Sequence, residues 1–343
     1  MNSLLNERAR RLSPYTAGEQ PKEKLIKLNT NENAYPPSPK VAAAVAEAAQ
    51  SLRLYPPADS GALKETLAEL HGLKAENFFC SNGSDEALAL CFYAFFGDGV
   101  KTMDVTYSFY PVWAKLVGAE LDIVPLMEDY TVDISGMRGG RGAIIANPNA
   151  PTGIALGLDD VAAIAEATHG VAVVDEAYVD FGAKSAIGLV NEIKNLVVVR
   201  TLSKSHSLAG LRVGYAAACP ELAAALHTVK DSFNSYPLDM LAQAGAKAAL
   251  MDVEWFRQNT EKIVRERGRV SRELERLGCE VLPSSANFVF VRCEYAEETY
   301  TALRKKGILV RYFNGERTRD FLRVTVGTPM EMDVFLKAME EIV

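Results

Sequence analysis

The chain has 343 residues, 48% of them hydrophobic and 24% charged, which is enough for one large core or two domains. A formal net charge of −7 argues against non-specific nucleic-acid binding, and no apolar run reaches the roughly 18 residues that cross a bilayer. Five separate cysteines without a Cys-x-x-Cys pair point to reduced thiols in a cytoplasmic enzyme, and four histidines without ligand spacing point to no metal.

The opening Met1-Asn2-Ser3-Leu4-Leu5-Asn6 lacks the basic start and apolar core of a signal peptide. Ser38-Pro39 reads as an N-cap followed by a first-turn proline, opening an Ala-rich helix to about Leu52. Ser60 opens another, with Leu63, Leu67 and Leu70 on one face and Gly72 as its stop. Asn82-Gly83-Ser84 leads into a third, with Asp85 and Glu86 in its first turn. Apolar runs near 102–105, 121–124, 143–146, 171–174, 196–200 and 213–217 then read as strands. Segments near 108–117, 158–168 and 220–232 read as helices between them. This alternation predicts an α/β fold: a mostly parallel central sheet with helices on both faces, its ligand at the strand ends. Beyond about 238 the pattern changes. A long helical stretch from Leu238 to Leu277 breaks near Asp252. A strand over Ala286–Val291, a helix near 296–306, strands at Ile308–Arg311 and Leu322–Val326, and a terminal helix follow. The expected division is a large domain over 29–238 and a smaller α+β domain over 239–343.

The most informative segment is Ser203-Lys204-Ser205-His206-Ser207-Leu208-Ala209-Gly210-Leu211-Arg212-Val213-Gly214, directly after the apolar run Leu196–Val199. A buried-type strand delivers one lysine into a loop of small polar residues, and an arginine follows eight positions later. A second strand, Val171–Val174, ends in Asp175-Glu176-Ala177-Tyr178. A lysine, an acid, a tyrosine and an arginine at strand ends suit pyridoxal 5′-phosphate: an amine for its aldehyde, a carboxylate for its ring nitrogen, a hydroxyl for its ring oxygen, a cation for its phosphate. Taken singly, each has a plainer explanation. Lys204 could be a loop lysine, Asp175 a solvated strand cap, Tyr178 a half-buried aromatic and Arg212 a surface charge. Gly83-Ser84-Asp85 is a common helix cap, yet its two amides beside Ser203 and Arg212 make a credible phosphate cup.

These residues resemble the fold-type I aminotransferases of the class-II family. The histidinol-phosphate aminotransferases are similar in Asn29-Thr30-Asn31-Glu32-Asn33, Leu54-Tyr55-Pro56, Asn82-Gly83-Ser84-Asp85-Glu86 and Thr106-Tyr107-Ser108-Phe109-Tyr110. Asn147-Pro148-Asn149-Ala150-Pro151-Thr152-Gly153 and Leu322-Arg323-Val324-Thr325-Val326-Gly327-Thr328 complete the set, in order along nearly the whole chain. The resemblance implies that Lys204, Asp175 and Tyr178 are catalytic, and that the amides of Ser84 and Asp85, with Ser203 and Arg212, hold the phosphate. It implies that Tyr107 stacks on the pyridine face. Tyr110 reads as ordinary core packing, and Glu176 is assigned no role. Tyr55 would cross a twofold interface to the neighbour's cofactor, which makes the partner a second copy of the chain. Arg323 would bind the acidic end of the substrate, with Arg311, Tyr15 and Asn29 around it and the 1–28 arm packed on the small domain. One position departs from the pattern: the family usually has asparagine immediately before Pro-Thr-Gly, where this chain has Ala150, so Asn149 or Tyr178 alone is left for the ring oxygen.

The expected activity is interconversion of histidinol phosphate and imidazole acetol phosphate, with glutamate and 2-oxoglutarate as the other pair. An aromatic or broad-specificity aminotransferase, or a threonine-phosphate decarboxylase, would carry the same lysine, aspartate and arginine. A transcription regulator with an aminotransferase-like domain would need an added DNA-binding segment, which this sequence is not expected to contain.

Overall fold

The computed structural model describes residues 4–343. The arm holds a short helix, α1 (Glu7–Arg10), and a strand, β1 (Ile26–Lys27). Its first three residues lie outside the described ones. Helix α2 (Pro39–Ala49) starts where the sequence predicts, with Ser38 Oγ accepting from the Lys40 amide at 3.1 Å. Helix α3 (Gly61–His71) buries Leu63 and Leu67, but Leu70 is 44% exposed and leaves the expected face. Strand β2 (Phe78–Asn82) was not legible as a strand, and it passes without a loop into α4 (Gly83–Phe95).

Then follow β3 (Val100–Met103), α5 (Tyr110–Val117), β4 (Leu121–Val124), α6 (Ile134–Met137), β5 (Ala143–Ala146), α7 (Leu158–Ala167), β6 (Ala172–Asp175), β7 (Leu196–Thr201) and β8 (Val213–Ala218). The strands form one seven-stranded sheet in the order β2-β8-β7-β6-β5-β3-β4. Strand β8 runs antiparallel to both neighbours, while β7, β6, β5, β3 and β4 are mutually parallel. Strands β5 to β8 are buried along their whole length, because helices cover both faces. The antiparallel β8 has a functional consequence. Lys204 follows the end of β7 and Arg212 precedes the start of β8, so both sit at the same rim of the sheet as the end of β6. There Asp175 is the last residue of β6, in register with Val199.

Helix α8 (Pro220–Phe233) leads to α9 (Met240–Leu250) and α10 (Val253–Arg276), which break at Asp252 as the sequence predicts. No break in the packing marks the expected boundary at 238. Ala242, Ala246, Ala249 and Leu250 of α9 belong to the core shared with Val41, Leu63 and Leu67 of α2 and α3. The smaller sheet is antiparallel, in the order β12 (Arg311–Tyr312), β13 (Phe321–Thr325), β10 (Phe288–Arg292), β9 (Glu280–Val281). Helices α11 (Ala296–Lys305) and α12 (Pro329–Glu340) complete that part. The expected strand Ile308–Arg311 splits: β11 (Ile308–Leu309) pairs in parallel with β1 of the arm, and β12 starts after Val310. Leu28 shares a core with Val289, Leu322 and Phe335, so the C-terminal end of the arm packs on the small domain.

Candidate active site

A cavity of about 360 Å³ opens at the rim where β6, β7 and β8 meet α4. Its walls carry Tyr15, Asn31, Ser84, Asp85, Tyr107, Ala150, Asp175, Tyr178, Ser203, Lys204, Arg212 and Arg323. Residues from seven separate sequence motifs therefore converge on one space. Lys204 Nζ donates to the Thr30 carbonyl at 3.0 Å and lies 5.9 Å from the centre of the Tyr178 ring. The backbone behind it is held by Asn33, whose amide donates to the carbonyls of Lys204 and Ser205 at 2.8 and 3.2 Å.

Asp175 is buried, and burial raises its carboxyl to about 6 despite hydrogen bonds from Tyr110 and the Ala177 amide and the nearby positive charge of Lys204. Its Oδ2 accepts from the Tyr110 hydroxyl at 2.9 Å and its Oδ1 from the Ala177 amide at 3.2 Å. This corrects the expectation for Tyr110, which is fully buried but aims its hydroxyl at the carboxylate. No local spacing could have shown this, because the two residues are distant in sequence. Glu176 is also buried. It accepts from Ser185 Oγ at 2.5 Å and the Ala186 amide at 2.6 Å, while burial pushes its carboxyl up to about 7 against the lowering effect of Arg200. It faces that buried network and not the cavity.

Gly83 opens α4 at φ +76°, a conformation that favours glycine. A Cβ on Gly214 would lie 2.3 Å from the Ser84 nitrogen, so only glycine there lets the start of α4 press against β8. The same turn presents Ser84 and Asp85 at a helix N-terminus, with Arg212 alongside. Arg212 donates to Asp85 Oδ2 at 3.3 Å, and Tyr107 donates to Asp85 Oδ1 at 3.0 Å. Ser203 Oγ accepts from the Thr201 hydroxyl at 3.0 Å. Arg212 itself takes φ +55°, which costs a non-glycine residue energy and is the kind of strain found at ligand sites.

On the opposite wall, Arg323 donates through Nη2 to the Asn29 carbonyl at 2.8 Å. Its Nε is buried without a hydrogen-bond partner among the described residues, and burial pulls its guanidinium below the usual range. Phe288 and Phe313 each lie 5.4 Å from it. Arg311 stands directly across the strand pair from Arg323 and, with Tyr15, lines a neighbouring cleft. Tyr15 stacks on Phe109 at 4.6 Å.

Three expected residues lie elsewhere. Asn149 is fully buried behind the wall: its amide donates to the Val105 carbonyl at 2.9 Å and to Thr152 Oγ1 at 3.1 Å, and its oxygen accepts from Thr106 Oγ1 at 2.9 Å. It has no donor left for the cavity, which Ala150 lines instead. The side chain of Asn29 ties down the arm, donating to the Glu19 carbonyl at 2.9 Å, and only its backbone reaches Arg323. Tyr55, expected to reach the site of a second copy, is 80% exposed, does not line this cavity, and stacks on Tyr236 at 4.7 Å.

The described residues fit pyridoxal phosphate on three counts. Asp175 is a buried carboxylate without a cationic hydrogen-bond partner, suited to a protonated ring nitrogen. The start of α4 puts Ser84 and Asp85, at a helix N-terminus, on the cavity wall beside Arg212. A single lysine lies between them on the wall. Among the described residues no group of side chains could hold a metal, and no helix is long and apolar enough to cross a membrane.

This geometry suits a pyridoxal-phosphate enzyme, and the comparisons make it a transaminase. The family model for aminotransferases of class I and II matches residues 23–339. The histidinol-phosphate aminotransferase of Clostridium acetobutylicum is 48% identical, with 99% of each chain covered, and histidinol-phosphate aminotransferase 1 of Oceanobacillus iheyensis is 44% identical over 100% of this chain and 99% of its own. The crystal structure of the histidinol-phosphate aminotransferase of Sinorhizobium meliloti in complex with pyridoxal-5′-phosphate superposes with a TM-score of 0.90 at 26% identity, covering 99% of this chain and 97% of that one. The chain belongs to the histidinol-phosphate aminotransferases, within the class I and II aminotransferases.

Proposed function

We propose that the chain transfers an amino group between histidinol phosphate and 2-oxoglutarate, giving imidazole acetol phosphate and glutamate, as a cytoplasmic homodimer. The observation that carries this reading is one cavity with a lysine and a buried aspartate at the sheet rim, and a partly unpaired arginine on the facing wall.

When bound, pyridoxal phosphate supplies an aldehyde for the amino group and a ring that takes up the electron pair left when the substrate Cα–H bond breaks. Lys204 would hold the cofactor through Nζ. The same Nζ, facing the cavity, would be the base that takes the proton from the substrate Cα. Asp175, oriented by Tyr110, keeps the ring nitrogen protonated. The Tyr178 hydroxyl serves the ring oxygen, and Tyr107 packs on the ring face. The amides of Ser84 and Asp85, with Ser203 and Arg212, bind the phosphate. Arg323 holds the anionic end of either substrate, and one planar fork suits both carboxylate and phosphate. Arg311 and Tyr15 flank the phosphate-bearing end.

Steady-state kinetics with histidinol phosphate, phenylalanine and threonine phosphate test the assignment. The highest kcat/KM is expected for histidinol phosphate with 2-oxoglutarate. Preference for phenylalanine, or release of carbon dioxide from threonine phosphate, would overturn it.

The dimer is tested through Tyr55. Tyr55→Phe is expected to weaken cofactor binding by about 0.5–1.5 kcal/mol for a neutral bond, and more against a charged phosphate. In mixed dimers of a Tyr55→Phe chain with a Lys204→Ala chain, a Tyr55 that acts across the interface puts both lesions in one site. The other site then binds pyridoxal phosphate with wild-type affinity. Mixed dimers without such a site, or a fully active monomer, would refute the shared arrangement.

A further inference from the structure

The ring-oxygen side of the cavity lacks the usual amide donor, because Ala150 stands there and Asn149 is committed elsewhere. A different amide lies close by. Asn31 Nδ2 donates to the Tyr178 hydroxyl oxygen at 3.0 Å. We propose that Asn31 is a positioning residue that sets the direction of the Tyr178 hydroxyl, so that Tyr178 donates its proton into the cavity. This rests on the reading of the cavity as the pyridoxal phosphate site.

The argument is one of hydrogen-bond polarity. The Asn31 backbone amide donates to Thr325 Oγ1 at 3.1 Å, so the threonine's own hydrogen must go elsewhere. It goes to Asn31 Oδ1 at 2.9 Å. The oxygen end of the Asn31 amide is thereby held at Thr325, and the nitrogen end is turned to Tyr178. A phenol hydrogen lies in the ring plane in one of two orientations. With the Asn31 amide hydrogen on one side, it takes the other. Among the described residues that hydrogen has no acceptor. The carbonyl of Asn31 accepts from Asn287 Nδ2 at 3.0 Å, so the residue is held from every side and is 1% exposed. Its φ of +58° is tolerated by asparagine and glycine far better than by other residues. Thr325 is on β13 and Asn31 follows β1, so the direction of one hydroxyl depends on the arm docking to the small sheet.

The test reads the pH midpoint of the visible absorption band of the holoenzyme. A hydrogen bond donated to the ring oxygen draws electron density from it and lowers the pH at which the bound chromophore loses its proton. The ionisable groups around Tyr178 are Lys204, Asp175, Arg323, Tyr107 and Tyr110. All of them are kept in the variants, and none of the substitutions adds a charge. Asn31→Gly suits the backbone angle and removes the amide. It is expected to raise the midpoint by roughly 0.4–1 pH unit, the equivalent of one neutral hydrogen bond. Thr325→Val keeps shape and frees the amide to flip, so it should move the midpoint the same way by less. Neither shift should survive in a Tyr178→Phe background, whereas a merely structural role would lower the melting temperature and leave the midpoint alone. Unmoved midpoints in both variants, with Tyr178→Phe still shifting its own, would overturn the role of Asn31 alone. So would shifts that persist undiminished without the Tyr178 hydroxyl. A Tyr178→Phe enzyme with an unchanged midpoint would instead overturn the placement of Tyr178 at the ring oxygen.

Discussion

Lys204→Ala is expected to lose nearly all turnover while still binding some cofactor. General acid–base catalysis by one positioned group is worth about 10²–10⁴-fold, and this lysine is proposed to supply covalent attachment as well, so the loss should reach at least that range. Binding should survive in part, because Arg212, Asp175 and the start of α4 stay in place and none of them contacts Lys204 through a hydrogen bond. The visible band of the covalently held cofactor should vanish. Borohydride reduction of the native holoenzyme followed by peptide mapping gives the direct check. The label should fall on the peptide that carries Lys204. A label on any other lysine, or a Lys204→Ala enzyme that turns over within tenfold of wild type, would show the assignment to be wrong.

What was legible in the sequence was whatever local spacing decides. The apolar runs of β5 to β8 stand out because both faces of the sheet are covered, and Asp175 and Lys204 follow from the ends of those runs. Arg212 follows from Lys204 because a single loop joins β7 to β8. The misread features depend on partners far away in the chain. Tyr110 resembles any aromatic opening a buried helix, and only the fold brings its hydroxyl to Asp175. Asn149 resembles a donor next to the cavity, but Val105 and Thr152 claim its amide. Asn29 and Asn31 are two residues apart in one motif, yet one ties down the arm and the other faces Tyr178. Helix α9 follows a change of pattern that suggested a new domain, but its small alanine-rich face fits against α2. Strand β2 has polar residues at its end because that end is the turn into α4, and this hid it as a strand.

Arg323→Ala should lower kcat/KM for histidinol phosphate and for glutamate together, by roughly ten- to a hundredfold. Loss of one charge-assisted hydrogen-bonded pair is worth about 1.5–3 kcal/mol, which corresponds to that range. By sequence alone an arginine alternating with apolar neighbours on β13 suits a solvent-facing position. Here β13 lies between β10 and β12, so the side chain extends over Phe288 and Phe313 into the cavity instead. One end of its fork is already held by the Asn29 carbonyl. The Nε is left without a partner, so an incoming anion gains a buried donor that has no competing bond. The loss should appear mainly in KM if the contact is equal in ground and transition states, and in kcat as well if the arginine also aligns Cα with Lys204. Arg323→Lys separates charge from geometry. A lysine keeps the positive charge but cannot match the planar fork, so it should recover only part of the lost activity. Arg311→Ala provides the contrast: Arg311 lines the neighbouring cleft with Tyr15, so its loss should penalise the phosphate-bearing substrate more than glutamate. An unchanged KM for either substrate in Arg323→Ala would confine that arginine to the other one. Unchanged kinetics for both would leave the anionic end to Arg311 and remove Arg323 from substrate recognition altogether.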